Sequence, residues 1–132
     1  MSPIANMLIQ LKNAQSAGLE NVAVPYSEMK NKIAEILKEK KFIEEVEVKK
    51  RKGRKSEISF LSIKLKYDDG VGAIDGIKFI SKPSRRMYAG KADLKPVKSG
   101  FGVSVISTPK GIMTGDDAKK AGVGGEMIFE IW

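Results

Sequence analysis

The sequence predicts an α+β protein built as two small packed modules. Three observations carry this. In the first half, apolar spacing changes in the order helix, strand, helix, strand, strand. Aspartates and glycines then gather over residues 68–76, and the second half consists mainly of short strand patterns with one brief helix signal. A chain of 132 residues suffices for one ordinary core or two small ones. The modules are expected at residues 1–68 and 76–132, with the boundary near residues 67–75. Neither a low-complexity linker nor an internal repeat separates them, so the halves are expected to pack together.

The first helix starts at Ser2-Pro3, a capping hydroxyl followed by a proline whose missing donor costs nothing in a first turn. Ile4, Met7, Leu8 and Leu11 form its apolar stripe, and Gly18 ends it. Residues 21–25 read as a short strand, placed at an edge or an end by Pro25. Ser27 caps a second helix that runs to about Lys40, with Met29, Ile33, Ile36 and Leu37 on one face. Lys30 and Lys32 fall in its first two turns, where the helix favours bound anions. They are either a solvated face or phosphate contacts.

Residues 42–50 alternate as a strand, and residues 49–55 form a turn with six cations in seven positions. Gly53 permits the hairpin, and Ile58, Phe60, Ile63 and Leu65 carry the return strand. Two readings of this basic tip stand side by side: a mobile solvated turn, or an arm that reaches a phosphate backbone. Past the boundary, Ile77, Phe79 and Ile80 form a strand. It is followed by the run Ser81-Lys82-Pro83-Ser84-Arg85-Arg86-Met87-Tyr88.

The composition narrows the function. Cysteine and histidine are both absent, which removes disulfides, thiolate chemistry, the commonest general base and the commonest transition-metal ligand. No apolar run approaches the roughly 18 residues that span a bilayer, so a cytosolic protein with no membrane partner is expected. Net charge is +8, and residues 78–110 alone hold eight basic side chains against the single acid Asp93, a local net of +7. Charge gathered in this way is the footprint of a polyanion partner. Tyr88, just after the arginine pair, either stacks on an exposed base or is a half-buried strand residue.

The stretch from Phe101 to Glu126 is the most informative. It reads as a strand over residues 101–107, then the turn Ser107-Thr108-Pro109-Lys110-Gly111, and Ile112 and Met113 re-entering the core. A helix capped by Thr114 follows over Gly115–Ala121, stopped by Gly122, and then comes a glycine-rich return through Gly124 and Gly125 into the last strand. Hydroxyls and close-approach glycines suit folded RNA, which presents 2′-hydroxyls and splayed bases. Glu126 would repel phosphate, so it fits as an acceptor for a base or sugar donor or as a structural hydrogen bond. Asp116, Asp117 and Glu126 also allow a small hydrolase or nuclease. Against this, adjacent helical residues diverge by about 100° and the first-turn position already explains both aspartates. An unspecific nucleic-acid chaperone would account for the charge but not for so particular a polar turn.

The runs Ser107-Thr108-Pro109-Lys110-Gly111-Ile112-Met113-Thr114 and Gly122-Val123-Gly124-Gly125-Glu126 resemble the signature of the family of the eighth protein of the small ribosomal subunit. Pro3-Ile4-Ala5-Asn6-Met7-Leu8, Lys12-Asn13-Ala14, Phe42-Ile43, residues 80–88 and Ile131-Trp132 agree in order and spacing. The match covers nearly the whole chain, and its length resembles the bacterial form. This resemblance implies two α+β modules side by side and a non-catalytic primary binder of the central domain of small-subunit rRNA, needed early in assembly and beside neighbouring small-subunit proteins. It implies no cofactor, metal or small-molecule substrate. The implied contacts are Ser107, Thr108, Lys110, Gly111, Gly124, Gly125 and Glu126, with Arg86, Tyr88 and Lys82 beside them and Lys30 and Lys55 as phosphate contacts of the first module. Family members can also repress translation of their own operon by binding a messenger that mimics the ribosomal site. Pro109 departs from the serine usual in the family, which removes a hydroxyl and a backbone donor and stiffens the turn.

Overall fold

The computed structural model describes residues 2–94 and 102–132, so the expected strand start at Phe101 and the cations Lys95 and Lys98 lie outside the described residues. The fold is α+β, and the chain divides into two compact units, Pro3–Ala73 and Ile74–Trp132.

In the first unit, helices α1 (Pro3–Ser16) and α2 (Glu28–Glu39) accompany a three-stranded antiparallel sheet. Its strands are β1 (Asn21–Pro25), β2 (Ile43–Lys52) and β3 (Glu57–Leu65), in the order β1-β3-β2. Pro25 ends an edge strand, where its missing donor breaks no ladder. Both helices close in the same way. Gly18 (φ 72°) follows α1 and Lys41 (φ 67°) follows α2 in the left-handed region, and the next amide returns to the last turn, Leu19 to Ala14 and Phe42 to Leu37. Nothing in the sequence marks Lys41 for that conformation. The stretch expected as a loose connection contains a two-residue hairpin, β4 (Tyr67–Asp68) against β5 (Val71–Gly72), turned by Asp69 and Gly70 at positive φ.

Two expectations about this core are corrected. Met29 is 46% exposed and Lys30 takes the inward position, because the stripe Lys30, Ile33, Ala34, Leu37 is the one that faces the sheet. In β3, Leu61, Ile63 and Leu65 are buried while Ile58 is exposed; period two permits only one parity to face the core. The six cations are also not all in a turn: β2 stays paired through Lys52, and only residues 53–56 form the loop, closed by Gly53 N–H to Ser56 O at 2.8 Å.

The second unit is a sheet of β6 (Ile77–Phe79), β10 (Gly125–Ile131), β8 (Val103–Thr108) and β9 (Gly111–Thr114), with β7 (Tyr88–Ala89) also paired to β10. Helix α3 (Gly115–Ala121) packs over β8 and β9, capped by the Thr114 hydroxyl, which accepts from Asp117 N–H, and ended by Gly122 at φ 71°. Its core joins Leu94, Ile106 and Ala118. The turn expected to run from Ser107 to Gly111 is tighter than that. Ser107 and Thr108 finish β8, Pro109 and Lys110 alone make the loop, and Ile112 and Met113 belong to β9. A register shift in β10 between Met127 and Phe129 pairs Met127 with Ile106 and Phe129 with Val105, so these two residues face opposite sides.

Candidate nucleic-acid interface

Sheet register builds the site. Glu126 on β10 pairs with Tyr88 on β7 and with Ser107 on β8, and Ser107 pairs in turn with Ile112 on β9. Directly opposed residues point to the same face about 5 Å apart, so Tyr88, Glu126 and Ser107 form a row across three strands. Tyr88 is 72% exposed, which decides against the half-buried strand tyrosine. Ser107 is half-buried.

Gly124 and Gly125 shape that row. A Cβ on Gly125 would meet Ser107 C at 2.9 Å, besides the Ser107 carbonyl oxygen, and one on Gly124 would meet Gly90 Cα at 2.8 Å. The backbone these glycines admit is therefore the chain's own: they bring β7, β10 and β8 together where the polar row begins. Arg86 Nη1 lies 3.3 Å from Glu126 Oε2, so the acid that would repel phosphate is paired with a cation. This pair is 57% exposed on the arginine side and 21% on the glutamate side.

The Thr108 hydroxyl is occupied by the turn. It donates to Gly111 O at 2.8 Å and accepts from Lys110 N–H at 3.1 Å, which locks the two-residue loop and leaves the Lys110 side chain exposed at its tip. Gly111, at φ 114°, adopts a conformation that a side chain would strain. On the other flank, residues 82–86 leave the edge of β10 as a small loop whose neck Ser81 closes. Its hydroxyl accepts from Met87 N–H at 2.9 Å and donates to Met87 O at 3.2 Å. Lys82 and Arg85 are bridged across this loop, and Lys82, Arg85 and Arg86 are all exposed. Ser81 was not among the expected site residues, and its signal in the sequence was only its position before a basic run.

The two first-unit cations part company. Lys55 is exposed in the loop after β2. Lys30 is only 8% exposed, and its ammonium donates to Pro25 O at 2.9 Å, which anchors α2 to the end of β1. An ammonium held in this way has the role of a structural donor, and the expected phosphate contact at Lys30 is corrected accordingly. Among the described residues, no three histidine, cysteine or carboxylate side chains gather as a metal site. Asp116 and Asp117 stand at the capped start of α3.

A polar row beside an exposed aromatic ring, between the basic loop of residues 82–86 and the Lys110 turn of β8 and β9, is the surface of a binding protein. Comparison gives the particular family: the model for ribosomal protein S8 matches residues 2–132. The chain is 45% identical to small ribosomal subunit protein uS8 of Caldicellulosiruptor bescii over 100% of this chain and 98% of that one. It is 39% identical to uS8 of Mycoplasma mobile (98% and 95%) and 44% identical to uS8 of Burkholderia cenocepacia (96% and 93%). The chain belongs to the ribosomal protein S8 family, a family of structural, non-enzymatic proteins.

Proposed function

We propose that this chain is a structural constituent of the small ribosomal subunit that binds the central domain of small-subunit rRNA directly and supports its assembly in the cytoplasm. The observation that carries the reading is the Tyr88–Glu126–Ser107 row, brought together by the close strand approach that Gly124 and Gly125 permit and flanked by Lys82, Arg86 and Lys110. The Ser107 hydroxyl and the sheet-end backbone offer uncharged donors and acceptors to bases and 2′-hydroxyls. Tyr88 offers a stacking face, and the cations draw in the phosphates. Thr108, Gly111, Gly124 and Gly125 act by shaping this surface, and Lys55 adds a phosphate contact from the 1–68 module to the main interface on the 76–132 module. Neighbouring small-subunit proteins complete the surroundings.

The test is the affinity of the full chain for a central-domain rRNA fragment against an unrelated RNA of equal length, at fixed salt. Preference for the fragment by about a thousandfold or more is expected of specific recognition, by analogy with the lower bound for specific over non-specific DNA binding. Equal affinity would refute the reading. A messenger element folded like the rRNA site would occupy the same row, so the translational-repressor role is tested by adding the leader of the chain's own operon as a competitor.

A further inference from the structure

Past the pair of Val48 and Leu61, the β2–β3 hairpin leaves the core: residues 49–58 are all exposed. Four residues of β2 extend beyond Val48, about 14 Å at roughly 3.4 Å per residue. Of its six cations, Lys49 lies 4.0 Å from Glu47 and Lys50 lies 3.8 Å from Glu57. Arg51, Lys52, Arg54 and Lys55 have no acidic partner within 4.0 Å among the described residues. Solubility alone would be served by mixed signs, whereas this arm is almost wholly of one sign.

One face of the arm is also apolar. Register pairs Phe60 with Lys49 on one side and Pro25 on the other, and Ile58 with Arg51, so these five side chains share the face opposite the core residue Leu61. An open groove of about 350 Å³ runs there, lined by Pro25, Ile58, Phe60 and Arg51 among others. Ile58 is 48% exposed. A flat apolar floor with a guanidinium at its wall and further cations along its rim suits a chain of planar bases linked by phosphates. A duplex would hide its bases from that floor. An acidic peptide would satisfy the cations but offers no planar group to the groove.

We propose that the outer face of the β2–β3 hairpin is a second nucleic-acid site that takes an unpaired RNA strand. One base lies in the Pro25–Ile58–Phe60 groove, and flanking phosphates lie on Lys49, Arg51 and the hairpin tip. The site lies on β1, β2 and β3, elements other than those of the row, and extends the phosphate contact proposed above for Lys55 without resting on the row itself.

The test titrates a short fluorescent oligouridylate, and an RNA duplex of equal length, into the full chain and three variants. Ile58→Ser is expected to weaken oligouridylate binding about tenfold while duplex binding holds. Arg51→Gln should weaken both by a smaller factor, and Lys119→Gln, which removes an exposed cation from α3, should leave oligouridylate binding unchanged. Circular dichroism checks that each variant folds. Thiouridine crosslinking of the unmodified chain, mapped by mass spectrometry, gives a readout independent of any variant and should label Ile58 or Phe60. The proposal is overturned if Ile58→Ser loses oligouridylate and duplex alike, if it loses neither, or if crosslinks fall only on residues 74–132. It is equally overturned if polyglutamate binds the groove with the same sensitivity to Ile58→Ser, which would mark a protein-docking face.

Discussion

At Gly125 one missing methyl group decides whether three strands can meet. Its hydrogen faces the Ser107 carbonyl group, and any Cβ there would have to push Ser107 C, only 2.9 Å away, out of β8. Gly125→Ala is therefore expected to lower unfolding stability by about 1–3 kcal/mol, read from denaturant melts, because backbone rather than a flexible side-chain end must move. RNA binding should fall with it, since Ser107 and Glu126 are displaced together. Lys41 shows the opposite kind of strain. A lysine at φ 67° carries a left-handed penalty that glycine would not, so Lys41→Gly should raise stability by about 0.5–1 kcal/mol after the entropy that glycine adds to the unfolded chain. Lys30 shows why residue type alone misled: a cation in the first turns of a helix suggests an anion site, but the Pro25 carbonyl lies within reach and takes the ammonium.

Among the elements, those with strong local grammar were legible in advance. Ser27 and Thr114 caps, Gly18 and Gly122 stops and the apolar stripe of α1 appear where the sequence placed them. Pairing was harder to read, because register is decided by partners distant in the chain. The parity of β3, the four-residue strand β9 and the shift in β10 all needed the neighbouring strands to be known. The same holds for the candidate site: the signature run pointed to Ser107, Gly124, Gly125 and Glu126, but only the structure shows Tyr88 in register with Glu126 and Arg86 closing on it.

Helix α2 and strand β2 are further tied by Lys38 and Glu45 at 2.6 Å. The Lys38 hydrogen bond, with the Val46 N–H second, holds the Glu45 carboxyl below its usual range. A carboxyl lowered by folding contributes stability above its ordinary pKa and loses that contribution as pH falls through the lowered value. Glu45→Gln should therefore lower stability slightly at neutral pH, match the parent once pH is below the lowered value, and so flatten the acid limb of stability against pH in denaturant melts. An identical acid limb in the variant would remove the pair from the account.

For the whole molecule, the proposed function divides the work: a net charge of +8 would set the attraction and the polar row the choice of partner. The two terms separate by salt. Lys82→Gln should lower the slope of log affinity against log salt by about one unit and weaken all RNAs alike, because the contact proposed for it is with phosphate. The most direct measurement of the central claim is the dissociation constant of Ser107→Ala, at one salt concentration, for the central-domain rRNA fragment and for an unrelated RNA of equal length. A loss of about 1–2 kcal/mol on the fragment, with the unrelated RNA bound as before, is the predicted result. Equal losses on both RNAs, or none on either, would contradict it.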